Sequence, residues 1–154
     1  MSKAFLRIAT LAVGALIVQP ALAQEHGTAD EAVALVKKAV AHYKSAGREK
    51  ACAAFADPNG GFQVKDLYVF VQDTAGVVQC HGKNPAFAGK DMSGLKDSDG
   101  KTFIAEMNQV VKGKGSGWVD YKWTNTQTKK IEPKSSYVET AGGDAYVGAG
   151  IYKP

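Results

Sequence analysis

Apolar residues in the first half of the chain recur at helical spacing. Thr28 and Glu31 have the spacing of a capping box, and the apolar positions that follow, from Val33 to Tyr43, are three or four residues apart, which predicts an amphipathic helix. The pattern pauses at Gly47 and resumes as far as residue 55, so either two helices or one kinked helix fits it. The sequence DPNGG at residues 57–61 ends the helical region.

The period then changes from helical to strand-like. Residues 67–71, LYVFV, form an apolar run of strand-favouring residues, and residues 73–76, DTAG, have turn chemistry. Residues 77–81 return as a second strand, so the three segments together predict a β-hairpin. The polar stretch 81–91, HGKNPAFAGKD, begins where this second strand ends.

One more helix and three strands follow. Residues 97–100, DSDG, are suited to cap a helix that continues to the glycines at 113 and 115. Residues 118–123 then alternate between two faces, and further strands are predicted near 134–140 and 146–152. Because helix and strand do not alternate as in βαβ units, this order predicts an α+β domain around one mainly antiparallel sheet.

The N-terminus has the features of an export signal. A short basic start precedes an uncharged run at residues 8–23, which is shorter than the roughly 20 residues that a membrane-spanning helix needs. This run ends in Ala21-Leu22-Ala23, a small-x-small cleavage site. We therefore expect a cleaved signal peptide at 1–23, a single domain at 24–154 and a periplasmic location. We expect no membrane span and no output domain after it, so signalling would need a membrane partner.

Charge and cysteine usage refine this picture. Removing residues 1–23 takes two of the 19 basic residues and none of the 15 acidic ones, so the net charge becomes 17 − 15 = +2, which is too small to predict a nucleic-acid partner. Cys52 and Cys80 are the two cysteines. In an exported protein these cysteines form either a disulfide or two buried thiols, and the sequence leaves both alternatives open.

The sequence contains no pattern typical of catalysis. Cys80 and His81 are neighbours in a predicted strand and therefore point to opposite faces of the sheet. No G-x-S-x-G elbow is present, and the three histidines lie far apart without metal-ligand spacing. We predict neither an enzyme, a metal site nor a cofactor. The tyrosines, tryptophans and lysines around the sheet fit either a pocket for a small polar ligand or an ordinary core.

Four stretches carry a family resemblance: LYVFVQDTAGVVQCHGKNPAFAGKDMSGLKDSDGKTFI, GSGWVDYKW, EPKSSYV and GAGIY. In this order they resemble the single Cache domain, type 2-like, the extracytoplasmic sensor of bacterial chemoreceptors and histidine kinases. The resemblance implies a long N-terminal helix packed along a PAS-like antiparallel sheet of about five strands. It also implies binding of small extracellular molecules, often short organic acids.

The resemblance also implies a set of site residues. HGKNPAFAGKD resembles the pocket-side loop of the family, and the implied ligand contacts or pocket supports are His81, Tyr121, Lys134, Tyr137 and Trp118. Lys134 would be the partner of a ligand carboxylate. Lys134 and Tyr137 fall on opposite faces of a regular strand, so both line one pocket only if a bulge intervenes.

The expected function follows from these points. We expect a periplasmic sensor-type protein that binds a short organic acid and feeds signal transduction or chemotaxis through a membrane-bound receptor or histidine kinase. The alternative is a non-catalytic interaction or structural protein that uses the same fold without a ligand.

Overall fold

The computed structural model describes residues 26–153. The predicted signal peptide at 1–23 lies outside these residues. In chain order the helices and strands are α1 (Ala29–Ala46), α2 (Arg48–Ala56), β1 (Gln63–Val64), β2 (Leu67–Tyr68), β3 (Phe70–Asp73), β4 (Val78–His81), a 3-10 turn (Pro85–Phe87), α3 (Phe103–Lys114), β5 (Ser116–Thr124), β6 (Ile131–Gly142) and β7 (Ala145–Tyr152).

Five strands form one antiparallel sheet in the order β4-β3-β7-β6-β5, and β1 and β2 form a separate two-stranded ladder. β3 and β4 form the predicted hairpin, but the strand predicted at 67–71 is divided between β2 and β3, which belong to different sheets. β5, β6 and β7 form a meander. The long N-terminal helix and the five-stranded antiparallel sheet confirm the predicted α+β fold.

The chain enters α1 through a complete capping box. The Thr28 hydroxyl accepts a hydrogen bond from the Glu31 amide, and the Glu31 carboxylate accepts one from the Thr28 amide at 2.8 Å. Gly47 then ends α1 with a φ of 80°, which glycine adopts without steric cost, and α2 starts at the next residue. Of the two alternatives read from the sequence, two helices is therefore the correct one.

The sheet has a core on each face. α1 and α2 cover one face, where the buried side of α1 packs against β6 and β7. α3 and the long loop between β4 and α3 cover the other face, where the core includes the aromatic residues Phe70, Phe103, Tyr121 and Tyr146. Cys80 belongs to the first core and His81 lies on the second face, so the prediction that these neighbours point apart is confirmed.

Two further local predictions differ from the structure. Strand β6 begins at Ile131, earlier than predicted, and it therefore contains Pro133. Asp97 does not cap α3, whose N-cap is Thr102 without a side-chain bond. The Asp97 carboxylate instead accepts hydrogen bonds from the amides of its own turn and from the Lys122 amide of β5 at 2.9 Å. Helix caps and Asx turns use the same residue types, so the sequence pattern did not separate them.

Within residues 26–153, no helix combines the length and the apolar character that crossing a bilayer requires.

The structure joins Cys52 of α2 to Cys80 of β4 by a disulfide, with Cα atoms 5.7 Å apart. The bond therefore attaches the short second helix to the edge strand that ends at His81.

We expect the double variant Cys52→Ala/Cys80→Ala to lose about 3 to 4 kcal/mol of unfolding free energy, because the bridge closes a loop with a sequence separation of 28. Urea denaturation of the oxidised protein and of the variant measures the difference. A thiol reductant should lower the stability of the wild type and leave the variant unchanged. Equal stability of the oxidised wild type and the variant would show that the bridge contributes nothing.

Candidate functional site

A small cavity lies between the sheet, α3 and the loop after β4. Its volume is about 40 Å³, and its wall is aromatic and apolar with a few polar groups: Tyr68, Phe70, Gln72, Val78, His81, Phe87, Met92, Phe103, Ile104, Met107, Tyr121, Trp123 and Lys134. Four sheet strands, β2, α3 and the loop contribute to this wall, so it exists only in the folded domain.

Register brings the polar groups of the cavity together. Tyr121 of β5 is opposite Lys134 of β6, and Lys134 is opposite Tyr152 of β7. Cross-strand neighbours of this kind share one face of the sheet. Tyr68 of β2 belongs to the same group of polar residues, because its hydroxyl lies 2.7 Å from the Lys134 Nζ.

The Lys134 side chain lies across strand β7, where the chain has a glycine. A Cβ atom at Gly150 would come within 2.7 Å of the Lys134 Cε and within 2.2 Å of the Ser136 Oγ. Any side chain at this position would therefore displace the lysine. The GAGIY sequence thus has a specific role, which is to leave a channel for the amine.

The Lys134 amine is buried among phenol groups. The residue is 1% exposed, and its Nζ donates to the hydroxyl oxygens of Tyr68 at 2.7 Å and Tyr152 at 3.4 Å. The same nitrogen lies 4.2 Å and 4.8 Å from the centroids of these two rings, within the range of a cation–π interaction.

Lys134 forms no salt bridge with any residue between 26 and 153. Burial lowers its pKa from 10.5 to about 7, and the negative charge of Asp66 acts weakly in the opposite direction. The Asp66 carboxylate itself accepts hydrogen bonds from the His26 ring at 2.8 Å and from the Gly27 amide at 2.6 Å. In the described part of the chain, the amine therefore has no negatively charged partner within hydrogen-bond distance.

His81 is held as a neutral ring. Its Nδ1 accepts hydrogen bonds from the backbone amides of Lys83 at 3.2 Å and Asn84 at 3.0 Å, so the remaining hydrogen belongs on Nε2. Burial, and then the charge of Lys134, lower the pKa of His81 to about 3. The loop after β4 thus fixes the ring so that it offers one N–H donor and carries no charge at neutral pH.

Tyr121 completes the polar end of the cavity. Its hydroxyl is 2.9 Å from the Ser136 hydroxyl, and its ring stacks on Phe103 of α3 with centroids 4.3 Å apart. Burial raises the pKa of Tyr121 above its ordinary value, so the phenol keeps its proton. Phe103 and Trp123 form the neighbouring wall.

Three of the five predicted ligand contacts, His81, Tyr121 and Lys134, line the cavity. Trp118 and Tyr137 do not. They lie on the opposite face of the sheet with ring centroids 5.5 Å apart, and Trp118 is 39% exposed. The register of β6 is continuous from Lys134 to Tyr137, so the bulge that would bring both into one pocket is absent there. This geometry removes Trp118 and Tyr137 from the candidate site.

Sequence reasoning did not select Tyr68, Tyr152 and the α3 residues of the wall. In the sequence, Tyr68 is part of an apolar strand-like run, and the alternation of side chains places it on the face opposite to Leu67. The signal that could have identified the space for Lys134 was Gly150 of β7. The second glycine of this strand, Gly148, leaves room for the Phe70 ring instead, because a Cβ there would lie 2.2 Å from it.

Comparison with known proteins agrees with this architecture. The sequence profile of the single Cache domain 2 family matches residues 13–153. The methyl-accepting chemotaxis protein McpP of Pseudomonas putida is 26% identical over 88 residues, which are 56% of this chain. The chain spans 16% of the length of that relative.

Solved structures of chemotaxis proteins share the fold. A Cache chemosensory domain, solved to give the structural basis of its carboxylic acid recognition, is 26% identical, has a TM-score of 0.69, and aligns over 81% of this chain and 92% of its own. A periplasmic sensor domain of a chemotaxis protein is 29% identical with a TM-score of 0.62, over 81% and 90%. A methyl-accepting chemotaxis protein of Vibrio parahaemolyticus has the same fold at 24% identity and a TM-score of 0.68, over 80% and 86%.

The pKa of Lys134 predicts a stability that rises with pH. Between pH 7 and 10.5 the unfolded lysine holds a proton that the folded one has released, so folding becomes more favourable as pH increases. We expect the unfolding free energy of the wild type relative to Lys134→Met to rise by up to about 1.4 kcal/mol per pH unit between pH 8 and 9. Urea denaturation at pH 7, 8 and 9 measures it.

Lys153→Met is the matched control for this measurement. Lys153 follows β7 directly, but its side chain is 44% exposed and pairs with Asp120 at 2.8 Å. The stability difference between the wild type and this control should stay nearly constant with pH. If the difference for Lys134→Met also stays constant, the buried amine does not titrate in this range.

Proposed function

Because the chain belongs to the single Cache domain 2 family, we propose that it is a periplasmic sensor-type protein whose cavity binds a short carboxylic acid. The observation that carries this proposal is the amine of Lys134, which is fully buried at the wall of the cavity. Among the residues that the structure describes, it has phenol hydroxyls but no carboxylate within hydrogen-bond distance.

Electrostatics favours an anionic ligand at this position. A buried ammonium group without a counter-charge is costly, and a carboxylate supplies both the charge and strong, charge-assisted hydrogen bonds. The neutral His81 ring and the phenol of Tyr121 line the same cavity and carry further O–H and N–H donors. One carboxylate group thus matches the donors that the polar end of the cavity presents.

The cavity volume limits the size of the acid. A cavity needs about 10 to 15 Å³ to hold a single water, so about 40 Å³ accommodates roughly three or four non-hydrogen atoms. Acetate has four such atoms, and propionate exceeds this number by one. The rest of the wall, which includes Phe103, Ile104 and Met107, is mostly apolar and suits a short alkyl chain rather than a second charged group.

The relatives support a role in signalling. McpP is a methyl-accepting chemotaxis protein, and one structural neighbour is a Cache domain that recognises carboxylic acids. We propose that binding of the acid is passed to a membrane-bound receptor or histidine kinase and so contributes to chemotaxis or a related response. The cavity favours this reading over an interaction protein that uses the fold without a ligand.

The two tryptophans allow a direct test of the binding site. Trp123 lines the cavity and Trp118 lies on the other face of the sheet. In Trp118→Phe the cavity tryptophan is the sole indole, and we expect a saturable change of its fluorescence when acetate or propionate is added. In Trp123→Phe the remaining indole is remote from the cavity, and the change should disappear although the acid still binds.

Chloride at matched ionic strength is the control for a salt effect in this titration. Hexanoate tests whether the cavity excludes an acid with a longer alkyl chain. A response that is equal for chloride and propionate, or that is seen only in Trp123→Phe, would contradict binding in the cavity.

Loss of the amine should weaken binding strongly. We expect Lys134→Met to lose about 2 to 3 kcal/mol of binding free energy for propionate, which is a factor of about 30 to 150 in Kd. Isothermal titration calorimetry measures it, with Lys153→Met as the control that keeps wild-type affinity.

Wild-type affinity should also fall about tenfold per pH unit above pH 7, because the free amine must take up a proton to pair with the acid.

Unchanged affinity in Lys134→Met, together with a large loss of stability at neutral pH, would make Lys134 a structural residue instead of a ligand contact.

A further inference from the structure

The Lys134 amine differs from the lysines that form salt bridges. Lys65, Lys101, Lys122 and Lys153 pair with carboxylates, and their side chains are 27% to 44% exposed. Lys134 is 1% exposed, lines a cavity, and has phenol oxygens as its hydrogen-bond partners. An amine of this kind borders a cavity but is separated from bulk water.

The environment also favours the uncharged amine. Burial brings the pKa of Lys134 to about 7, so at neutral pH about half of the amine is unprotonated, whereas an exposed lysine is almost fully charged. The unprotonated nitrogen needs a donor, and the Tyr68 hydroxyl at 2.7 Å is in position to supply one. Burial keeps the pKa of Tyr68 well above its ordinary value, so this phenol retains its proton.

We propose that Lys134 forms a reversible imine with short aliphatic aldehydes that enter the cavity. A desolvated lysine in an apolar pocket is a recognised type of nucleophile. The reaction differs from carboxylate binding, because it makes a covalent bond and requires the free amine instead of the ammonium group.

The reaction balances without any further reagent. The lone pair of Nζ attacks the carbonyl carbon and forms a C–N bond as the C=O π bond breaks, and one of the two nitrogen protons moves to the oxygen to give the hydroxyl of a carbinolamine. The nitrogen then gives up its second proton to this hydroxyl as the C–O bond breaks, and the oxygen leaves as water. One amine and one aldehyde thus give one imine and one water, and hydrolysis reverses the reaction.

The groups around Nζ suit these steps. The Tyr68 hydroxyl lies within hydrogen-bond distance of the reacting nitrogen and can exchange protons with the carbinolamine oxygen. The Tyr152 hydroxyl, 3.4 Å from Nζ, donates to the Thr124 carbonyl oxygen at 3.0 Å, which fixes its orientation. The apolar wall limits the access of water, and this favours the imine over its hydrolysis products. The cavity of about 40 Å³ restricts the reaction to aldehydes of about three carbons.

The imine uses the cavity of the proposed function but does not depend on acid binding. A bound carboxylate stabilises the protonated amine and occupies the same volume, so it should inhibit imine formation. Conversely, a protein that binds no acid could still react with an aldehyde, and the two properties are measured separately.

Reductive trapping with propanal tests the proposal. The wild-type protein is treated with a low concentration of propanal and cyanoborohydride at pH 7, and peptide mass mapping follows the propyl group at each lysine over time. We expect labelling of Lys134 to be at least about ten times faster than labelling of Lys153, because at this pH far more of the buried amine is unprotonated. Acetate should slow the labelling of Lys134 and leave that of Lys153 unchanged.

Tyr68→Phe provides a second variant that keeps the lysine. It should slow labelling at Lys134 several-fold without changing labelling at Lys153, and circular dichroism establishes that the variant is folded. Labelling that is spread over the exposed lysines while Lys134 stays unmodified would overturn the proposal. This outcome leaves acid binding intact if the tryptophan titration still responds, so failure of the imine and failure of the proposed function are distinguishable.

Discussion

The burial of one amine beneath the sheet is the constraint on which the site depends. An ammonium group removed from water needs hydrogen-bond partners and room for its stem, and neighbouring elements supply both. Lys134 belongs to strand β6, and the two tyrosine hydroxyls that it contacts belong to β2 and β7. Gly150 leaves space for the lysine side chain where it crosses β7. Because these residues are far apart in sequence, the strand register must be correct before any of the contacts can form.

The alternation of side chains along β5 and β6 determines which residues belong to the site. Tyr121 and Lys134 point toward α3, whereas Trp118 and Tyr137 point to the α1 side. A one-residue shift in register would exchange these sets. The family resemblance alone named residues of both sets as ligand contacts, and strand geometry separates them. The physical objection to placing Lys134 and Tyr137 in one pocket was visible in the sequence and is confirmed by the continuous register.

The elements that could be predicted are those with local signals. The capping box at Thr28 and the glycine at 47 predict α1 and α2, and the DTAG turn predicts the hairpin. Each of these signals depends only on residues a few positions apart in the sequence. Asp97 was misread because its carboxylate bonds to β5 from a distant loop. Tyr68 was missed for a similar reason, since its partner Lys134 is 66 positions away and no local pattern records that contact.

The charges of the site restrict the choice of ligand further than the volume of the cavity does. His81 stays neutral, because two backbone amides occupy its Nδ1 and the nearby amine opposes a second positive charge. The tyrosines keep their protons, so among residues 26–153 Lys134 is the single group in the cavity wall that changes charge near neutral pH. The wall can therefore carry at most one positive charge there. A monocarboxylate neutralises this charge, whereas a dicarboxylate would leave its second negative group in an apolar enclosure without a partner. The histidine thus contributes orientation and a hydrogen bond without adding charge, and the site is matched to a small monoanion.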